Sequence, residues 1–387
     1  MKNPPSGQIR VMRIIARMNV GGPAVQVSGL MRGLNTVDFD HRLYTGFCTT
    51  DEADYLDTMA TDVKAVRIEG FGRRVSLGGD IKAFATLVKE IRSFKPHVIH
   101  THTAKAGFLG RIASIVSLHP SVRVHTFHGH LLNGYFGQFK RVLVVIAERT
   151  LGISTNQLLA VGDKVRQDLL QSGIGDSEKF GLMAPGLAID ALPDKKSSCE
   201  SLGLASDQLH CAFIGRVTQI KRPDRFLDVV AEIKMRRINI SFFIAGDGEL
   251  LEHSRARIIA EDLPVTVLGW QSDIEKILAA ADIVVLTSDN EGTPLSLIQA
   301  GMAGLPVVTT NVGSVPEVVL DGTTGITTNL DVNQIADALE KLANNADLRA
   351  TMGAAAQEFT LANFGVTQFV SDHEELYKKL LTGRAKS

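Results

Sequence analysis

The sequence predicts an α/β protein made of two doubly wound domains, and three observations carry that prediction. Short apolar runs alternate with helical patterns through the first half of the 387-residue chain, as parallel βα units require. The apolar periodicity then lapses over residues 187–208, LAIDALPDKKSSCESLGLASDQ, which marks a boundary. A second alternating series follows it. The expected division is residues 1–190, residues 191–365, and a last helical segment over 366–387.

In the first domain, strands are expected at Val11–Ala16, Leu43–Phe47, Val98–Thr101, Val124–Phe127, Leu158–Val161 and Leu182–Ala184. Helical stretches such as Ile81–Phe94, Ala104–Ser117 and Val142–Leu151 run between them. Directly after the first strand stand Gly21 and Gly22, opening a helical run. Two glycines let a ligand approach the backbone closely, and a helix start favours an anion. The G-x-G-x-x-G fingerprint is absent, which disfavours NAD. Asp38-Phe39-Asp40 has a metal-binding D-x-D spacing but falls away from the expected site and reads as a solvated turn. His100 and His102 end one strand, and His125, His128 and His130 end the next. Alternate strand residues share a face, so His100 can converge with His102, and His128 with His130. No nearby cysteine or H-E-x-x-H pattern supports zinc, and strand-end histidines satisfied by backbone are an open alternative. The loop Gly70–Arg74 carries Arg73 and Arg74, whose guanidinium groups can grip phosphate. With Lys105 at the start of a helix, Arg73 is a candidate contact for a second substrate. Residues Gly134–Arg141 mix aromatics with cations, a composition suited to a membrane interface or to an ordinary helix entry.

In the second domain, strands are expected at Ala212–Ile214, Ser241–Ala245, Val265–Leu268, Ile283–Leu286 and Val307–Thr310. Gly215, Arg216 and Lys221 follow the first of them, placing a forked cation and a point charge beside a glycine turn. Gly246–Glu249 forms a turn into a helix, and Leu268-Gly269-Trp270 ends a strand. Residues 288–319, SDNEGTPLSLIQAGMAGLPVVTTNVGSVPEVV, organise the rest. Turn formers Ser288, Asp289 and Asn290 stop a buried strand, and Thr293-Pro294 opens a helix with Pro294 at its first position. The amides of Leu295 and Ser296 then point outward and favour an anion. Glu291 stands on the lip of that site, with Gly292 and Thr293 in the turn and Gln299 one turn into the helix. An anion site flanked by a carboxylate and an amide suits a phosphorylated, hydroxyl-rich ligand.

Composition is that of a globular protein, 44% hydrophobic and 21% charged, and no apolar run reaches the roughly 18–20 residues a membrane helix needs. Cys48, Cys199 and Cys211 show no metal spacing and fit a reducing compartment. The net charge of −1 is unevenly shared: residues 1–190 hold 23 Lys and Arg against 16 Asp and Glu. A basic first half can face anionic lipid or a diphosphate-bearing acceptor.

These elements together resemble the family 4 glycosyltransferases of the GT-B fold, over nearly the whole chain. The resemblance implies two Rossmann-like doubly wound domains facing across a cleft, with a C-terminal helix crossing back. It implies a retaining transfer of a hexose-type sugar from a nucleotide diphosphate donor, UDP-sugar favoured, to a saccharide or lipid-linked acceptor, with no cofactor and no obligatory metal. Glu291 matches the first glutamate of the E-x7-E motif, which holds donor-sugar hydroxyls. Gln299 stands where the second glutamate, which holds the ribose diol, belongs; an amide accepts on one side and donates on the other. Arg216 and Lys221 match the cations on the donor diphosphate, with Gly215, the Gly21-Gly22 loop and the Leu295–Ser296 amides beside them. His128 matches the His-Gly position touching the donor sugar or its phosphate, so His128 and Glu291 are the expected catalytic residues. Two other readings stay open, a non-catalytic sugar-nucleotide-binding partner and a GT-B sugar-nucleotide epimerase. The family leads one to expect a cytoplasmic protein, peripheral at the membrane, with no nucleic-acid partner.

Overall fold

The computed structural model describes residues 7–50, 52–73, 75–129 and 138–383, with residues 138–141 described by their backbone alone. The chain forms two compact units, one of Met1–Gly186 with Val366–Ser387, the other of Leu187–Gly365. Residues 187–190 were expected with the first unit. They lie in the second, where Leu187 N–H donates to the Phe364 carbonyl at 2.8 Å and Asp190 N–H to Glu275 Oε1 at 3.1 Å.

The first unit runs β1 (Ile9–Ile15), α1 (Gly22–Gly33), β2 (Phe39–Thr45), α2 (Tyr55–Thr58), β3 (Ala65–Arg67), α3 (Leu77–Phe94), β4 (Val98–His102), α4 (Ala104–Val116), β5 (Val122–Phe127), α5 (Gln138–Ser154), β6 (Gln157–Ala160), α6 (Asp163–Gln171) and β7 (Phe180–Leu182). The second runs α7 (Lys195–Leu202), β8 (His210–Ile214), α8 (Pro223–Met235), β9 (Ser241–Ala245), α9 (Leu251–Ala260), β10 (Val265–Gly269), α10 (Ile274–Ala280), β11 (Ile283–Leu286), α11 (Leu295–Met302), β12 (Val307–Thr310), β13 (Gly325–Thr328), α12 (Val332–Ala343) and α13 (Ala346–Phe364). The last helix, α14 (Val366–Gly383), returns to the first unit and packs on α1.

Both sheets are wholly parallel. Their strand orders are β3-β2-β1-β4-β5-β6-β7 and β10-β9-β8-β11-β12-β13. Buried on both faces, the central strands are apolar runs such as IVVL of β11, as parallel sheets require. In each sheet the order reverses beside the first strand, β1 or β8, and ligands of such sheets sit outside the strand ends at that point. Helix ends are set by ordinary chemistry. Ser76 caps α3 through Gly79 N–H, and Asp331 caps α12 through Gln334 N–H.

Two expectations fail at sheet edges. β3 and β13 were not anticipated, because AVR and GITT are too short and mixed to stand out. Asp38-Phe39-Asp40 is not a solvated turn. Phe39 opens β2 at 1% exposure and meets Tyr377 of α14 edge-on, while Lys378 pairs with Asp38 at 2.9 Å.

Candidate active site

In the second unit the candidate residues gather at the ends of β8 and β11. Gly215 follows β8, and a single 3-10 turn over Gln219–Lys221 leads to Arg222, which sits in the left-handed region with φ 52°. Loop-to-loop contacts hold this turn. Thr287 Oγ1, at the end of β11, donates to the carbonyls of Lys221 and Arg222 at 3.2 and 3.0 Å. Arg225 Nη1 donates to the Thr287 carbonyl at 2.7 Å and its Nη2 to Asp289. Gly246 brings the loop after β9 against it: a Cβ there would lie 1.9 Å from the Gly215 carbonyl oxygen, and φ is 157°, so only glycine fits.

This scaffold sets Lys221 against Glu291. The Lys221 Nζ lies 2.6 Å from Glu291 Oε1, and Ser288 Oγ donates to the same oxygen at 2.5 Å. Glu291 is 7% exposed, so the expected lip position is corrected to a nearly enclosed one. Its carbonyl accepts from Ser314 N–H at 3.1 Å. Close approach again demands glycine, since a Cβ on Gly313 (φ 54°) would lie 1.9 Å from that carbonyl. Arg216, by contrast, is exposed and makes no ion pair among the described residues. A buried carboxylate holding one lysine, with a guanidinium free of ion pairs among the described residues in the same loop, is a set of groups that can bind an anion and a hydroxyl group.

Pro294 is the N-cap of α11 rather than its first residue, since its ψ of 101° is extended. No side chain caps the helix, and its first backbone bonds run from Leu297 and Ile298 to the Pro294 carbonyl. The amides of Leu295 and Ser296 therefore take no partner among the described residues. Gly292, Thr293, Ser296 and Gln299 are half-buried, and the Gln299 side chain makes no hydrogen bond among the described residues. Trp270, after β10, is 40% exposed rather than packed in the core.

In the first unit Gly21 caps α1 without a side chain, and Gly22 opens it. The histidines of β4 and β5 belong to a buried polar network that sequence reasoning saw only in part. His100 and His102 do share a face, stacked with ring centroids 4.2 Å apart. Their partners, however, are side chains rather than backbone. Arg13, fully buried on β1, donates from Nη2 to Tyr377 Oη of α14 at 3.1 Å. A guanidinium has only donors, so Tyr377 accepts there, and the same hydroxyl bonds His100 Nδ1, 2.7 Å away. The other ring nitrogen, His100 Nε2, bonds Thr126 Oγ1 at 2.7 Å. His125 lies on the other face and meets Thr101 Oγ1 at 2.8 Å. His102 Nδ1 lies 2.9 Å from His128 Nε2. Burial pushes His128 down to about 4 and His373 of α14 down to about 3. Burial, then neighbouring histidines, hold His100 and His102 well below the usual imidazole range. All four rings are neutral near pH 7.

His130, Arg74 and residues 134–137 lie outside the described residues. Arg73 and Lys105 are not free cations: Arg73 Nη1 stands 3.4 Å from Glu52, and Lys105 Nζ 2.6 Å from Asp80. No three His, Cys, Asp or Glu among the described residues are grouped to hold a metal ion. The network members Arg13, Tyr377 and His373 were not singled out in the sequence. The one usable signal for Arg13 was a cation inside the apolar run VMRII.

Two parallel-sheet units with a returning C-terminal helix are the architecture of the GT-B glycosyltransferases. Residues 21–185 match the glycosyl transferase 4-like domain, and residues 194–359 match the family described as glycosyl transferases group 1. The chain belongs to family 4 of these enzymes and is a glycosyltransferase. It is 27% identical over 345 residues to the UDP-Gal:alpha-D-GlcNAc-diphosphoundecaprenol alpha-1,3-galactosyltransferase of Escherichia coli, covering 86% of this chain and 87% of that enzyme. It is 23% identical to the capsular polysaccharide biosynthesis glycosyltransferase CapM of Staphylococcus aureus, covering 80% of this chain and 83% of that one. Anabaena HepE, solved in complex with UDP and glucose, shares the fold with a TM-score of 0.82 at 19% identity, over 96% of this chain and all of that one.

Proposed function

We propose that the protein moves a hexose-type sugar, with retention, from a UDP-sugar to a saccharide or lipid-linked acceptor, in polysaccharide or glycolipid assembly. The observation that carries this reading is the Lys221–Glu291 pair, 2.6 Å apart, in loops that also carry the exposed Arg216 and lead into the uncapped start of α11. Arg216, Lys221 and the Leu295 and Ser296 amides would neutralise the leaving diphosphate, without a metal. Glu291 would hold sugar hydroxyls and Gln299 the ribose, while His128 would serve an oxygen of the sugar or phosphate. The second unit is thus assigned to the donor and the first to the acceptor. The E. coli and S. aureus relatives, named for diphosphoundecaprenol and capsule, support that acceptor class.

Calorimetric titration with UDP and with GDP, each in EDTA, tests the donor site. UDP binding in EDTA supports the assignment. If neither nucleotide binds at millimolar concentration, the donor site is degenerate and the protein is a binding partner rather than an enzyme. The same titration reads Gln299→Glu, where a carboxylate would accept both hydrogen bonds of a vicinal diol. UDP affinity is expected to rise about tenfold, the worth of one charge-assisted bond of about 1.5 kcal/mol. An unchanged affinity would mean that the ribose is held elsewhere.

The acceptor side is proposed to meet an anionic membrane surface. No helix among the described residues is long and apolar enough to cross a membrane. The neighbouring helices α3, α4 and α5 nevertheless expose Leu77, Ile81, Phe108, Ile115, Leu143 and Ile146. The acids beside them are spent internally, Glu148 on buried Arg111 and Asp80 on Lys105, each at 2.6 Å. Exposed apolar side chains on adjacent helices, with these two acids paired, suit a lipid surface. Sedimentation with phosphatidylglycerol vesicles is expected to carry the protein down, and Ile81→Glu with Ile146→Glu to cut binding several-fold. Equal sedimentation of this double variant would rule the face out.

A further inference from the structure

His102 and His128 share one hydrogen bond and leave one nitrogen each without a partner. His102 Nδ1 faces His128 Nε2 at 2.9 Å, while His102 Nε2 and His128 Nδ1 are both buried and unpaired. Two neutral imidazoles carry one N–H each. The bond between them uses one N–H and one lone pair, so one N–H and one lone pair remain at the two outer nitrogens. There are only two ways to distribute them. Either His102 donates from Nδ1, which puts the spare N–H on His128 Nδ1, or His128 donates from Nε2, which puts it on His102 Nε2.

The surroundings decide between these. His102 is 1% exposed, lies in the β4 row and stacks on His100, whose two nitrogens are already taken by Tyr377 and Thr126. The charged group nearest this row is Arg13, itself only a donor. A stranded N–H there would have no acceptor to turn to, and orphaned buried N–H groups are rarer than orphaned lone pairs. His128 lies just past the end of β5 and is half-buried as a residue, so of the two rings it is the one nearer solvent, although its Nδ1 is itself enclosed until a ligand opens the site.

We infer that His102 is a positioning residue that fixes His128 as the Nδ1–H tautomer, so that His128 meets its ligand as a hydrogen-bond donor and not as a base. The ligand group this selects is an oxygen acceptor, such as a phosphate oxygen or a sugar oxygen. The inference deepens the role given to His128 above and rests on that reading for its bearing on turnover. The orientation runs back through the stack: α14 sets His100 through Tyr377, His100 supports His102, and His102 sets His128.

The test is a tautomer spectrum of the full chain with ¹⁵N-labelled histidine, His128 being assigned by the signal lost in His128→Gln. The wild type is expected to show protonated Nδ1 and bare Nε2 at His128. In His102→Ala that pattern should give way to an Nε2–H population, and in His102→Asn, whose amide can still donate, it should return at least in part. A wild-type His128 protonated on Nε2, or a spectrum that His102→Ala leaves unchanged, overturns the inference. Turnover measured in His128→Gln addresses the other reading separately. Full activity there would remove His128 from the reaction, whatever its tautomer.

Discussion

Glu291→Ala is expected to lower sugar transfer by about a thousandfold or more while UDP affinity stays within a few-fold of wild type. Two charge-assisted bonds to sugar hydroxyls, at about 1.5–3 kcal/mol each, account for a loss of that size. The structure explains why nucleotide binding should be spared. Lys221 now spends its charge on Glu291 at 2.6 Å; with the carboxylate gone, that charge is released toward a diphosphate. The lysine is 16% exposed, and its stem lets the ammonium turn to water when no ligand is present. Turnover and calorimetric affinity, measured on the same preparation, separate the two effects. Retained turnover would end the sugar-holding role of Glu291.

Arg216→Ala is expected to cost about a hundred- to a thousandfold in turnover with stability almost unchanged. One donor aimed at charge that develops in a transition state is worth about 2.7–4 kcal/mol. Arg216 is exposed and makes no ion pair among the described residues, so its loss should shift stability by no more than about 0.5 kcal/mol. Lys221→Ala supplies the contrast. It takes the lysine from a nearly enclosed carboxylate that Ser288 Oγ also bonds, at 2.5 Å. Breaking such a buried pair destabilises by about 3 kcal/mol or more. Thermal melts of the two variants beside wild type, with turnover on each, check the pattern. Near-normal turnover of Arg216→Ala would remove that residue from the diphosphate site.

The legible parts of this molecule were those that local chemistry decides. Ile283–Leu286 is a buried strand because four β-branched or apolar residues stand together before a cluster of turn formers, and β11 has those bounds. The edge strands β3 and β13 were missed because a strand with one neighbour needs less apolar length than one buried on both faces. The same holds within the candidate site. Glu291, Arg216 and Lys221 stand out by spacing, but the pairing of Lys221 with Glu291 spans 70 positions. The bond from His100 to Tyr377 spans 277. No window of sequence contains both partners. The ion pairs of Arg73 and Lys105 were hidden for a related reason: their acids, Glu52 and Asp80, are neighbours only after folding.

The placement of α14 has a consequence for the order in which the chain matures on the ribosome. The first unit is synthesised first, yet Leu30, Leu34 and Val11 are covered by Phe369, Val370 and Tyr377 from its last helix. Until those residues emerge, Arg13 lacks the tyrosine that binds its Nη2, and an apolar sheet face stays open to water. The second unit needs only Leu187–Gly365 and can close earlier. The half that is translated first is therefore completed last, and it is the half that must wait, partly uncovered, for the chain's far end.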